Sequence, residues 1–167
     1  MKNIVLIGMP GCGKSTLGVI LAKELGLDFV DTDIVIQQRT GELLQETLEK
    51  RGVNALLDEE EQAILSLDMS KPHVISTGGS AVLRDSSMNH LTDNGICVYI
   101  YLTCEEVEKR INNRNTRGIA AEKDETLKDI YDYRTPFYEK WADITVDCTD
   151  SSVGENIEKI KQRLCKV

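Results

Sequence analysis

Residues Gly8 to Ser15 read Gly-Met-Pro-Gly-Cys-Gly-Lys-Ser, the spacing G-x-x-x-x-G-K-[ST] of a phosphate-binding loop. Glycines at 8, 11 and 13 let the backbone wrap closely around phosphates, with N–H groups and a helix N-terminus aimed at the anion. In such a loop Lys14 reaches the β- and γ-phosphates of a nucleotide and the Ser15 hydroxyl ligates Mg²⁺. The expected nucleotide-binding set is Gly11, Cys12, Gly13, Lys14, Ser15 and Thr16. Cys12 lies at a helix N-terminus, where a thiol pKa can fall. It is read either as a thiol whose oxidation or alkylation blocks nucleotide binding, or as a small filler.

Two carboxylates follow at i and i+2, Asp31 and Asp33 in Phe29-Val30-Asp31-Thr32-Asp33. At the carboxyl end of a parallel strand they stand where open α/β sheets bind ligands. One could hold Mg²⁺ through its water shell and the other accept a proton from a substrate hydroxyl. The plainer reading is a helix N-cap, which accounts for one Asp more easily than for two. Thr77-Gly78-Gly79-Ser80 opens from a third apolar segment, and paired glycines there admit a ligand to backbone N–H groups. Arg134, in a helical segment, is by default a surface residue.

The elements that must position these residues alternate along the chain. Short β-branched runs predict strands at 3–7, 28–31, 73–76, 96–102 and 144–147. Helical spacing predicts helices at 14–25, 33–39, 42–51, 53–68, 86–93, 104–113, 125–140 and 153–164. Alternation of this kind gives an α/β fold with a mainly parallel sheet. Residues 1–167 are read as one domain, with residues 33–70 as a helical insertion. Residues 112–124 are polar and carry two arginines, and form either a mobile lid or an ordinary surface loop.

Composition narrows the partners. A net charge of −8 argues against nucleic acid, whose backbone selects basic faces. No apolar run approaches the roughly 20 residues of a membrane helix. The five cysteines show no C-x-x-C spacing and read as cytosolic thiols. No signal segment is evident, so a cytoplasmic location is expected, with a small-molecule hydroxyl compound as partner and the chain acting as a monomer.

Taken in order, the motifs resemble the shikimate kinase family. The resemblance covers the phosphate loop, Asp31-Thr32-Asp33, Arg39-Thr40-Gly41, Thr77-Gly78-Gly79, a lid arginine near Arg117, and the Arg-x-Pro-x-Tyr-x-x-x-Ala-Asp run at 134–143. It implies a P-loop NTPase-type three-layer α/β/α fold with a five-stranded parallel sheet, a lid and a helical substrate-binding insertion. It implies transfer of the γ-phosphate of ATP, with Mg²⁺, to a ring hydroxyl of a small acid. By position, Asp33 would contact the substrate and act as base, and Asp31 would organise Mg²⁺. Gly79 would lend a backbone N–H, Arg134 would hold the substrate carboxylate, Arg117 would swing onto the phosphates, and Arg110 would lie against adenine.

The chain departs from the family pattern in the acceptor region. A second carboxylate-binding arginine is expected after a Gly-x-x-x-Phe, but Gly52-Val53-Asn54-Ala55-Leu56-Leu57 puts Leu57 there, and residues 52–70 contain no Lys or Arg. Asp58-Glu59-Glu60-Glu61 reads as a solvated acidic helix face. Arg51 and Arg84 are candidates to compensate. Ser80 replaces a third glycine, and Gly118-Ile119-Ala120 makes the lid less apolar. Two further readings therefore stay open: a kinase of another small alcohol or polyol, and a nucleotide-binding regulator without catalysis.

Overall fold

Strand β1 (Asn3–Ile7) is buried along its whole length, which explains why Ile4–Ile7 form a continuous apolar run rather than an alternating one. It is the centre of a five-stranded sheet in the order β2-β3-β1-β4-β5, with every pairing parallel. The other strands are β2 (Asp28–Asp31), β3 (His73–Ser76), β4 (Gly95–Tyr101) and β5 (Ile144–Asp147). The computed structural model describes residues 2–112, 118–122 and 124–166. Residues 113–117 and 123 of the expected lid, including Arg117, lie outside the described residues.

Helix α1 (Lys14–Leu25) returns the chain from β1 and packs beside α7 (Val153–Leu164). Helices α4 (Asp85–Asp93) and α6 (Leu127–Trp141) pack on β4. Right-handed crossovers that run one way along the sheet for β1→β2 and the other way for β3→β4 and β4→β5 place these two sets on opposite faces. The result is the three-layer P-loop fold. Between β2 and β3 run α2 (Thr32–Thr40) and α3 (Leu44–Leu65), and α5 (Cys104–Asn112) follows β4. Helix α3 is broken at Gly52, whose φ of 84° and ψ of 176° are not helical. The expected boundary between helices 42–51 and 53–68 is thus real. The second half stops at Leu65, where Ser66 donates its hydroxyl to the Ala63 carbonyl. No helix among the described residues is long and apolar enough to cross a membrane.

Gly95 opens β4 opposite Asn3, and a β-carbon there would stand 2.2 Å from the Leu91 carbonyl oxygen and 3.1 Å from Val5. Both neighbours are held by the sheet or its preceding helix, so neither can yield cheaply. Gly95→Ala is expected to cost at least about 2 kcal/mol of stability, the scale of overpacking a dense core. A urea titration checks this as a lowered midpoint with an unchanged slope.

Candidate active site

The loop between β1 and α1 turns on Gly13, the N-cap of α1, at φ 97° and ψ 11°, a left-handed conformation that favours glycine. This turn brings Lys14 back over its own loop. Its Nζ donates to the carbonyls of Gly8 and Met9, both at 2.8 Å, and lies 3.6 Å from Cys12 Sγ. The ammonium is nearly buried and needs these acceptors, because a buried charge without partners is costly. The Ser15 hydroxyl is 3.3 Å from that of Ser76 at the end of β3. Cys12 is 1% exposed and is not among the described residues lining the cavity beside the loop. Arg110 reaches the loop from α5, donating to the Cys12 carbonyl at 3.4 Å and to Glu106 at 2.8 Å.

Asp31 caps α2, its Oδ1 accepting the Asp33 N–H at 3.0 Å. The plainer reading therefore holds for one of the two carboxylates. Both nevertheless line the same cavity of about 480 Å³, as do Lys14, Ser15 and Thr16. The Thr77–Ser80 turn forms another wall and is fixed from two sides. The Gly78 N–H donates to the Thr32 hydroxyl at 3.1 Å, and the buried Tyr138 hydroxyl donates to the Gly79 carbonyl at 2.6 Å. Gly79 must lack a side chain, since a β-carbon would lie 2.6 Å from Pro10 Cδ in the phosphate loop.

Arg134 closes the far end. It is 2% exposed, against the expectation of a surface arginine, and its Nη2 donates to the Ala120 carbonyl at 2.5 Å. Gly118 abuts the backbone of Leu44 and Gln45, so the described end of the lid segment seats against α3. From α3 the cavity takes Leu44, Gln45 and Glu46 in the first turn and Leu56 and Glu60 beyond the break.

Three acceptor-side expectations need correction. Arg51 pairs with Glu59 at 2.8 Å, and Arg84 pairs with Asp58 at 2.7 Å and lies near Glu61. Neither lines the cavity, where Lys14 and Arg134 are the cations among the described residues. Leu57 is half-buried and also stands outside the lining. The acidic run is not uniformly solvated: Glu60 is 4% exposed and accepts the Ser80 hydroxyl at 2.5 Å. Burial, offset by the Ser80 bond and reinforced by the Asp33 charge, pushes its carboxyl up to about 7; Arg134 and Lys14 pull it down less. A signal for Glu60 was present in the spacing, because Leu56, Glu60, Ala63 and Ile64 form one buried helical stripe.

A phosphate loop at the edge of a parallel sheet, facing paired carboxylates and a buried arginine across a small cavity, defines a P-loop kinase of small molecules. The family model for shikimate kinase matches residues 10–165. The shikimate kinase of Thermodesulfovibrio yellowstonii is 38% identical over 169 aligned residues, covering 98% of this chain and 97% of that one. Among solved structures, the shikimate kinase from Acinetobacter baumannii in complex with shikimate superposes with a TM-score of 0.87 at 29% identity, covering 99% of this chain and 94% of that one. The enzyme from Aquifex aeolicus gives 0.82 at 28% identity, covering 97% and 95%. The chain belongs to the shikimate kinase family, and is a phosphotransferase with an alcohol group as acceptor.

Proposed function

We propose that this single-domain chain, working as a cytoplasmic monomer, transfers the γ-phosphoryl group of ATP to a ring hydroxyl of shikimate, giving shikimate 3-phosphate. The observation that carries this is one cavity with Lys14 and Ser15 on one side and Asp33, Gly79 and Arg134 on the other. Reactants drawn from two sides into one small space gain chiefly from positioning. Mg-ATP supplies the phosphoryl group and the charge neutralisation that lets it leave.

Gly11, Cys12, Gly13, Lys14, Ser15 and Thr16 would hold the phosphates, Lys14 exchanging its loop carbonyls for phosphate oxygens. Ser15 and Asp31 suit Mg²⁺, because both offer hard oxygen atoms to the cavity. Among the described residues no group of three His, Cys, Asp or Glu could hold a metal unaided. That fits an ion which keeps its waters and is held with the help of phosphates. Asp33 would orient the acceptor hydroxyl and take its proton, and the Gly79 N–H would meet the ring. Arg134 would pair with the carboxylate. Arg110, already on the loop, is assigned to the adenine side, and Arg117 to the transferring phosphoryl group.

Coupled ADP release with Mg-ATP and shikimate tests the reading against a blank without acceptor. Saturable turnover with a KM below about 1 mM, the upper end of ordinary enzymes, is the expected result. Turnover at the blank rate would overturn it. A different small alcohol would then be the better acceptor, the reading that Leu57 favours, and ATP binding with no turnover on any alcohol would indicate a regulator.

Leu57 stands outside the cavity lining, one helical turn before Glu60, and Leu57→Arg tests whether a long cationic side chain from there reaches the acceptor. The substitution is expected to lower the shikimate KM about tenfold, the worth of one charge-assisted hydrogen bond of about 1.5 kcal/mol. An unchanged or higher KM would show that this pocket holds its acceptor differently.

A further inference from the structure

Glu60 is a buried acid inside the acceptor cavity, and the roles assigned above leave it unused. Among the described residues it has no ion-pair partner, although every other acid of the run Asp58–Glu61 meets an arginine. Its Oε2 takes the Ser80 hydroxyl. Its Oε1 lies over Gly78, where a β-carbon would be 2.1 Å from it and 3.1 Å from Asp33 Oδ1. The two acids thus converge on one point of the cavity wall, beside the turn that would meet the acceptor.

The charged groups facing Glu60 come from three helices. Asp33 on α2 opposes its ionisation, and Arg134 on α6 and Lys14 on α1 favour it. Lys14 is already committed to the Gly8 and Met9 carbonyls, and Arg134 to that of Ala120. On its own helix and the start of α4, Glu59, Asp58 and Glu61 are taken up by Arg51 and Arg84, and Ser86 also bonds Glu61, all away from the cavity.

We propose that Glu60 is a specificity-determining residue of this acceptor site: held by Ser80, it admits a carboxylate-bearing acceptor as the neutral acid and repels one as the carboxylate. The inference rests on shikimate being the acceptor. An ionised Glu60 competes with the acceptor carboxylate for the field of Arg134, and adds to the charge of Asp33. A neutral Glu60 leaves Arg134 to the acceptor and can donate its own proton to an acceptor oxygen. Above the pH at which Glu60 ionises in the empty site, binding of the anionic acceptor takes up one proton from solvent, and dissociation returns it. Burial already holds the carboxyl up near 7, so the coupling falls within an accessible range.

The test is the shikimate KM between pH 6 and 8.5 in the wild-type chain, Glu60→Gln and Ser80→Ala, with the ATP KM measured alongside. In the wild type the shikimate KM is expected to stay level to about pH 7 and to rise about tenfold by pH 8.5, while the ATP KM does not follow. Glu60→Gln, neutral at every pH, is expected to remove the rise. Ser80→Ala deletes a bond that favours the carboxylate, so the rise is expected at higher pH. A wild-type shikimate KM level to pH 8.5, a parallel rise in the ATP KM, or an unaltered rise in Glu60→Gln would each overturn the proposal while leaving shikimate kinase activity standing. No saturable turnover of shikimate at pH 6 would overturn the acceptor assignment, and this proposal with it.

Discussion

Lys14→Ala is expected to lower turnover of Mg-ATP with shikimate by at least about a thousandfold, the scale of losing a preorganised charge from a phosphoryl-transfer site. The ammonium is nearly buried and already sits at the loop, so no reorganisation is needed before it meets phosphate. Alanine removes the charge and leaves the Gly8 and Met9 carbonyls without their donor. The loss should appear in kcat, because developing charge on the transferred group is greatest in the transition state. Single-turnover measurement of ADP formation checks it, and a kcat within tenfold of the wild type would refute the role given to the loop.

Arg134→Ala is expected to reduce kcat/KM for shikimate by roughly 30-fold to several thousandfold. That range is the 2–5 kcal/mol lost when one partner of a buried charge pair is removed, at 1.4 kcal/mol per decade. Among the described residues no other cation lines the acceptor end of the cavity, so none of them is placed to take over. Arg134 also ties down Ala120, so the described end of the lid segment would loosen with it. Arg134→Lys separates the two effects. Lysine keeps the charge but has no planar fork to serve a carbonyl and a carboxylate together. Steady-state kinetics on both variants, with ATP KM as the internal reference, distinguishes an acceptor role from a general loss of structure. A wild-type kcat/KM in Arg134→Ala would remove it from the acceptor site.

Much of this architecture was legible from local chemistry. Four strands fall at the expected residues, and β4 runs from Gly95 to Tyr101 instead of 96–102, because Gly95 pairs with Asn3 despite being a poor strand former. Gly52 marked the break in the insertion, and the phosphate loop was readable because strand, glycines and helix are contiguous. The acceptor side was harder, since it is assembled over long range. The Thr77–Ser80 turn is fixed by hydroxyls of Thr32 and Tyr138, which no local pattern connects. Arg134 reads as surface until α6 is seen facing the cavity. Glu60 reads as solvated because a run of four acids suggests solvent, although the helical spacing puts one of the four on the buried stripe.

The central position of β1 has a consequence for how the protein is made. A ribosome completes Ile4-Val5-Leu6-Ile7 first, yet its neighbours, His73–Ser76 and Gly95–Tyr101, emerge only some seventy and ninety residues later. Until His73–Ser76 is made, a strand destined for complete burial has no partner on either edge, and parallel pairing across such separations forms slowly. The nascent chain therefore spends much of its synthesis with its stickiest segment uncovered. Arg134 follows later still, and β5, which completes the sheet, comes after Arg134.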